Sequence, residues 1–211
     1  FLHAEPGIRD PLWSRGLGDV YKRQLLNKLA KDNPKNTDTM ENGCSIEYLD
    51  KVVKADGRHE GYPEISYSYD LKMGNIGEFQ ERYQELSTEL CTWLGARNEA
   101  VHVYYPKNGF MSWHNNWNAH GYNILLSYTE NGGGFFKYRD PLTHEVVEML
   151  DPGGWSCKVG YYGRGREPDK VYYHTAGTHE PRLTLGFVIP NIDMWRCMIE
   201  DISGKDASHL S

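Results

Sequence analysis

From residue 100 onward the chain reads as a series of short apolar segments, each closed by glycine, proline or asparagine. No other feature limits the possible folds as much. Strands are expected at about 101–105, 110–114, 122–128, 134–139, 145–149, 155–161, 170–174 and 183–189, from their Val, Ile, Tyr and Phe content and the turn residues between them. The turns are Pro106-Lys107-Asn108-Gly109, Asn131-Gly132-Gly133-Gly134, Asp140-Pro141-Leu142-Thr143, Asp151-Pro152-Gly153-Gly154 and the stretch 163–169. No helices alternate with these strands, which argues against a parallel α/β sheet. Eight short strands with this punctuation predict a mainly β protein with flanking α-helices, built as a double-stranded β-helix: a jelly roll of the cupin-like kind.

The region before residue 100 has a different texture. A short helix is expected over 25–31, a polar loop over 32–43 and a helix over 45–55 that starts at Ser45. Segment 64–71 alternates Ile65, Tyr67, Tyr69 and Leu71 with polar neighbours, a strand pattern. The strongest helix spans 76–94. Phe79, Tyr83, Leu86, Leu90 and Trp93/Leu94 recur at three- and four-residue steps, and Gly95 is its stop. Its stripe should cover the outside of a sheet, with Glu78, Glu81, Arg82, Glu85 and Glu89 toward water. After Pro190, a small apolar set (Ile192, Met194, Trp195, Met198, Ile199) precedes a polar end, 203–211, expected to be disordered. Residues 1–24 show no period and no apolar core of a secretory signal. They resemble a translated sequencing adaptor from an environmental (metagenomic) assembly, a non-native segment without function. The organisation is then one structural domain: 25–99 as support, 100–190 as the β core and 191–211 as a terminal segment.

Chemistry concentrates at Met111–Tyr128, MSWHNNWNAHGYNILLSY. On an extended strand His114 and Asn116 share a face and Asn115 takes the other. A His and a second donor two residues on can grip one metal ion. The triplet alone is a common one. A second cluster downstream gives it weight: His174, then Pro181-Arg182-Leu183-Thr184-Leu185-Gly186-Phe187. In that strand Arg182, Thr184 and Gly186 share one face and Leu183, Leu185 and Phe187 the other. One face would line a polar pocket, and Gly186 would leave room beside a ligand.

Together these residues resemble the iron(II)- and 2-oxoglutarate-dependent oxygenases of the prolyl-4-hydroxylase-like group. The likeness covers about 100–189. That family's pattern is His-x-Asp, a distal His, and an Arg on the last barrel strand with a hydroxyl residue two further on. His114 corresponds to the first His and His174 to the distal one. Arg182 and Thr184 correspond to the pair that holds the far carboxylate of 2-oxoglutarate, and Tyr105, ahead of Gly109, matches the family's Tyr…Gly…His approach. The chain departs at Asn116, where the family has Asp. The resemblance implies His114, Asn116 and His174 as catalytic and metal-binding residues. It implies Arg182, Thr184, Tyr105 and one of Tyr122 and Asn123 around the cosubstrate. Hydroxylation of a small-molecule or peptidyl substrate is the implied reaction. Halogenation is the variant in which a halide occupies the missing carboxylate's place, which Asn116 here fills. The change also leaves open a non-catalytic jelly-roll binding protein, or a cupin-type metal enzyme without 2-oxoglutarate. The latter has no use for Arg182-x-Thr184. Of the other histidines, His120 could replace Asn116 as ligand, His179 shares a loop with His174, and His102 and His144 read as surface residues.

Charge and composition narrow the partners. The formal net charge is −6, with Lys158, Arg164 and Arg166 as one possible local basic patch, so the balance argues against nucleic acid. Four cysteines, none in a CxxC pair, fit free thiols and a cytoplasmic setting. No apolar run reaches the length of a membrane span.

Overall fold

The structure, a computed structural model, describes residues 20–55, 63–73, 77–116, 120–163, 167–206 and 208. Residues 1–19, 56–62 and 117–119, and Arg164 and Arg166, lie outside them. Ten strands form the core: β1 (Ser66–Tyr67), β2 (Tyr69–Asp70), β3 (Asn98–Tyr105), β4 (Phe110–His114), β5 (Gly121–Thr129), β6 (Gly134–Arg139), β7 (Val146–Leu150), β8 (Gly154–Tyr162), β9 (Tyr173–Thr178) and β10 (Arg182–Ile189). The helices are α1 (Val20–Lys31), α2 (Met40–Gly43), α3 (Ile46–Lys54), α4 (Glu78–Trp93) and α5 (Ile192–Ser203).

The strands make two antiparallel five-stranded sheets, in the orders β1-β4-β9-β6-β7 and β2-β3-β10-β5-β8. Strand β3 pairs with β10, β4 with β9, β5 with β8 and β6 with β7. That is the pairing of one long hairpin, rolled so that β10 also meets β5 and β9 also meets β6. The fold is the expected jelly roll.

Alternation along the strands decides what each sheet face buries. On the second sheet, Tyr104, Ile124, Leu183, Leu185 and Phe187 point outward into a cluster with Leu26, Phe79, Tyr83, Leu94, Trp195 and Ile199 of α1, α4 and α5 and the residue after α4. Each such buried side chain contributes roughly 1.5–3 kcal/mol. A polar clamp fixes α4 in place: Tyr83 Oη and Ser87 Oγ donate to the buried Glu99 carboxylate at 2.5 and 2.6 Å, and Lys72 Nζ lies 3.1 Å from it. On the first sheet, α2 and α3 cover Phe110, Trp113 and Phe135 through Met40, Cys44, Tyr48, Leu49 and Val52. The inner faces meet in a smaller apolar group of Val103, Tyr105, Leu125, Phe136 and Ala176. This smaller interior leaves the barrel room for a cavity.

Helix starts and stops follow local chemistry. Ser45 Oγ accepts from Tyr48 N at 3.0 Å and caps α3. Gly95, at φ +57°, takes the left-handed turn that ends α4. Glu81, Arg82, Glu85 and Glu89 face water as expected, but so does Trp93.

Five expectations are corrected. The helix expected over 25–31 begins at Val20, as α1, and its Asn27 accepts from Tyr104 Oη at 2.8 Å. The loop over 32–43 contains the capped helix α2. Segment 64–71 is two strands, because the chain crosses from one sheet to the other at the buried Ser68. The strand at 170–174 is displaced: β9 starts at Tyr173 and runs through Thr175-Ala176-Gly177-Thr178. Small residues there serve close packing between β4 and β6; a Cβ on Gly177 would lie 2.5 Å from the Phe135 ring. The polar end is partly ordered. α5 is capped by Asn191 at its start and by Gly204, at φ +65°, at its end, and Ser208 N donates to Asp206 Oδ1 at 2.9 Å. No helix among the described residues is long and apolar enough to cross a membrane.

Candidate functional site

His114 reaches the barrel interior through an irregularity in its strand. Phe110 of β4 packs outward under α2, and strict alternation would send Ser112 and His114 outward as well. The β4–β9 register shifts between Met111 and His114. Ser112 and Trp113 consequently both lie on the outer side, where Ser112 Oγ accepts from Ile65 N and Trp113 packs on α3, and His114 is turned inward. His174 stands opposite it in register, and the ring centroids are 4.2 Å apart.

Both imidazoles have their Nδ1 atoms at backbone carbonyls: His114 on Ser112 O at 2.7 Å, His174 on Tyr172 O at 3.3 Å. A carbonyl only accepts, so each Nδ1 carries a proton, and in the neutral ring Nε2 is the acceptor. Burial, reinforced by His114 beside it, holds His174 well below the ordinary 6.5. A neutral ring with a bare Nε2 is the form that ligates a metal, and a carbonyl behind Nδ1 is its usual support. Asn116 follows on the same side, with Nδ2 3.4 Å from His174 Nε2. Its amide oxygen is the donor it could offer to a metal. Among the described residues, no group of three or more His, Cys, Asp or Glu is placed to hold a metal ion.

These three residues line one cavity of about 410 Å³ together with Tyr105, Asn123, Arg182 and Thr184. Tyr122 is not among them. Strand parity turns it outward onto Tyr161 and Trp195, at 4.8 and 5.3 Å, and Asn123 inward. His120 and His179 do not line this cavity either; His179 borders a separate recess near Gly133. His102 lines the cavity instead of lying on the open surface, and its Nε2 pairs with Asp70 at 2.9 Å. His144 sits in the β6–β7 turn at φ +63°. Gly186 makes its room for packing rather than for a ligand: a Cβ there would come within 2.7 Å of Leu125 and 2.8 Å of Val101.

The far end of the cavity is the part the sequence did not disclose. Arg182 is buried, its guanidinium 5.3 Å from the Tyr105 ring centre. Its Nε donates to Asp151 Oδ2 at 2.7 Å and its Nη2 to Ser127 Oγ at 3.1 Å. Its Nη1 is buried without a hydrogen-bond partner among the described residues. Asp151 Oδ1 receives Lys158 Nζ. Lys158 is therefore an interior residue and not part of a basic surface patch. Burial would raise the Asp151 carboxyl, but Arg182 and Lys158 together hold it below its ordinary value. Burial draws the Lys158 ammonium down against the pull of Asp151. Burial also pushes Tyr105 up to about 12, with Arg182 opposing. Asp151 opens an Asp-Pro-Gly-Gly turn, which reads in sequence as punctuation. Only the parity of β8, with Lys158 opposite Leu125, could have signalled that Lys158 faces inward.

Two imidazoles and an amide at one place, and a buried guanidinium edge at another, line one cavity, and these are donor types able to hold a metal ion and a carboxylate. No protein-family model matches the sequence, and no curated protein does. Among solved structures, the chain is similar to a carbohydrate-binding module from Cellvibrio mixtus lichenase 5A, solved with cellotriose, at 10% identity and a TM-score of 0.24. That match covers 46% of this chain and 92% of the module. What stands beyond comparison is a mainly β chain of two antiparallel sheets with a few helices, rolled as a jelly roll around a cavity.

Proposed function

We propose that this protein is an iron(II)- and 2-oxoglutarate-dependent oxygenase that hydroxylates a second substrate. One observation carries the reading: the imidazoles of His114 and His174, each held at Nδ1 by a backbone carbonyl, and the buried Nη1 of Arg182, which has no hydrogen-bond partner among the described residues, belong to the same cavity. His114, His174 and the amide oxygen of Asn116 would hold the metal. Arg182, with Thr184 beside it, would hold the far carboxylate of the cosubstrate through charge-assisted hydrogen bonds. When bound, iron and 2-oxoglutarate supply the activation of oxygen, with carbon dioxide and succinate released as the substrate C–H becomes C–OH. The chain's own part is to orient and to exclude water. The carbonyls of Ser112 and Tyr172 fix the imidazole tautomers, and Leu125, Phe136 and Ala176 keep the space between the two ends apolar.

A second reading rests on Asn116. With an amide where the family has a carboxylate, the cavity could bind 2-oxoglutarate without turning it over. The experiment that separates the readings is incubation with iron(II), ascorbate, oxygen and 2-oxoglutarate, with succinate as the readout. The oxygenase reading expects succinate above the level of His114→Ala. Binding of 2-oxoglutarate without succinate selects the binding protein, and neither binding nor turnover rejects both.

A further inference from the structure

Two buried cations, of which Arg182 lines the cavity, share the Asp151 carboxylate. The side chains of Arg182 and Asp151 are each 1% exposed and that of Lys158 5%. Asp151 is the one carboxylate among the charged groups that bear on Lys158. An unpaired buried charge is costly. Arg182 retains a buried Nη1 with no hydrogen-bond partner among the described residues, on a residue that lines the cavity. Lys158 does not line it; it borders a smaller recess with Tyr161 and Tyr172. The frame is stiff, because β8 and β10, which carry the two cations, both pair with β5. Ser127 of β5 accepts from Arg182 Nη2 and lies 3.4 Å from Thr184 Oγ1.

We propose that Lys158 and Asp151 set the charge of this end of the cavity at one positive excess, and that this excess selects the single terminal carboxylate of an acyclic dicarboxylate. The inference rests on the 2-oxoglutarate reading and names the residues that tune it. Asp151 alone would neutralise Arg182 and repel a second carboxylate. Lys158 cancels that repulsion without touching the ligand, so it is a positioning residue that acts through Asp151. Ser156 Oγ, 3.2 Å from Asp151 Oδ1 and 3.3 Å from Lys158 Nζ, completes the seat of the pair.

The test is calorimetric titration of the metal-free full chain with succinate, which has the far carboxylate but no keto acid. Lys158→Gln keeps a donor for Asp151 and removes the charge; it should weaken succinate more than fivefold. Lys158→Met should do the same, so the result does not depend on one variant folding. Lys158→Arg should stay within twofold of wild type. The deciding variant is the double Asp151→Asn/Lys158→Gln, which restores one positive excess and should recover affinity to within threefold of wild type. A double variant as weak as Lys158→Gln overturns the proposal, as does a Lys158→Gln that binds like wild type. Wild type that binds no succinate overturns it and removes the anion anchor from the proposed function. If the variants order as expected but 2-oxoglutarate yields no succinate, the charge-setting pair stands and the oxygenase reading falls.

Discussion

His114 and His174 face each other in register across β4 and β9, with each Nδ1 on a backbone carbonyl and ring centroids 4.2 Å apart. The backbone thus presets both tautomers, so the pair needs no rearrangement of protons to present two nitrogens to a metal.

Burial makes His174 a pH-dependent element. In the unfolded chain an imidazole takes up a proton near 6.5, while the folded His174 resists it until well below that. The unfolded state therefore binds more protons as pH falls through 6.5, and folded stability drops with it, by up to about 1.4 kcal/mol per pH unit from this group. The melting temperature of the metal-free protein should fall between pH 7.5 and 5.5. His174→Phe, surrounded by Phe136 and Tyr162, should flatten that fall. An unchanged slope in the variant would mean that other groups set it.

Asn116 brings a dipole where a carboxylate would bring a charge. Two neutral imidazoles and an amide leave a divalent ion uncompensated inside the barrel. Iron(II) should bind weakly alone and more tightly with 2-oxoglutarate, and by linkage the reverse should hold. Asn116→Asp should tighten iron binding without cosubstrate and shrink this dependence. Iron affinities measured with and without 2-oxoglutarate decide it. Tight binding by wild type alone, unaltered in Asn116→Asp, would remove Asn116 from the ligand set.

Arg182→Ala removes one cation from a buried three-charge unit and leaves Asp151 with Lys158. Because Asp151 keeps Lys158 as its counter-ion, the loss is that of the hydrogen bonds to Asp151 and Ser127, about 1–3 kcal/mol of stability. Affinity for 2-oxoglutarate should fall more than tenfold. Denaturant unfolding and calorimetry report the two losses separately, and equal affinities in wild type and variant would take Arg182 out of the site.

Gly186→Ala tests whether the glycine serves packing or a ligand. Its added methyl would press on Leu125 and Val101 across β5 and β3, costing ~1–3 kcal/mol as overpacking. Succinate affinity should change little beside that loss. A variant of full stability that no longer binds succinate would restore the ligand role.

The sequence by itself determined the jelly roll, the inward face of Arg182 and Thr184, and the helix that covers the sheet. Each of these is written in a local period: two residues per strand repeat, three to four per helical step, and glycine or proline where the chain must turn. The period failed where the chain is bent or crowded. It placed the strand around His174 too early: Thr175-Ala176-Gly177-Thr178 lacks the large apolar residues that mark a strand, because small residues are required between two neighbouring strands. It could not show the register shift that swings His114 inward, because a bulge is decided by pairing with β9. Nor could it distinguish Tyr122 from Asn123 until the helix carrying Trp195 fixed the outer face. The meeting of Asp151, Lys158 and Arg182 was decided by tertiary structure alone. Asp151 lies in the turn that leads into β8 and Lys158 follows it on that strand, but Arg182 comes from β10, and nothing local marks a turn aspartate as the counter-ion of two buried cations. Only the closing of the roll, which removes all three from water, makes their pairing a physical necessity.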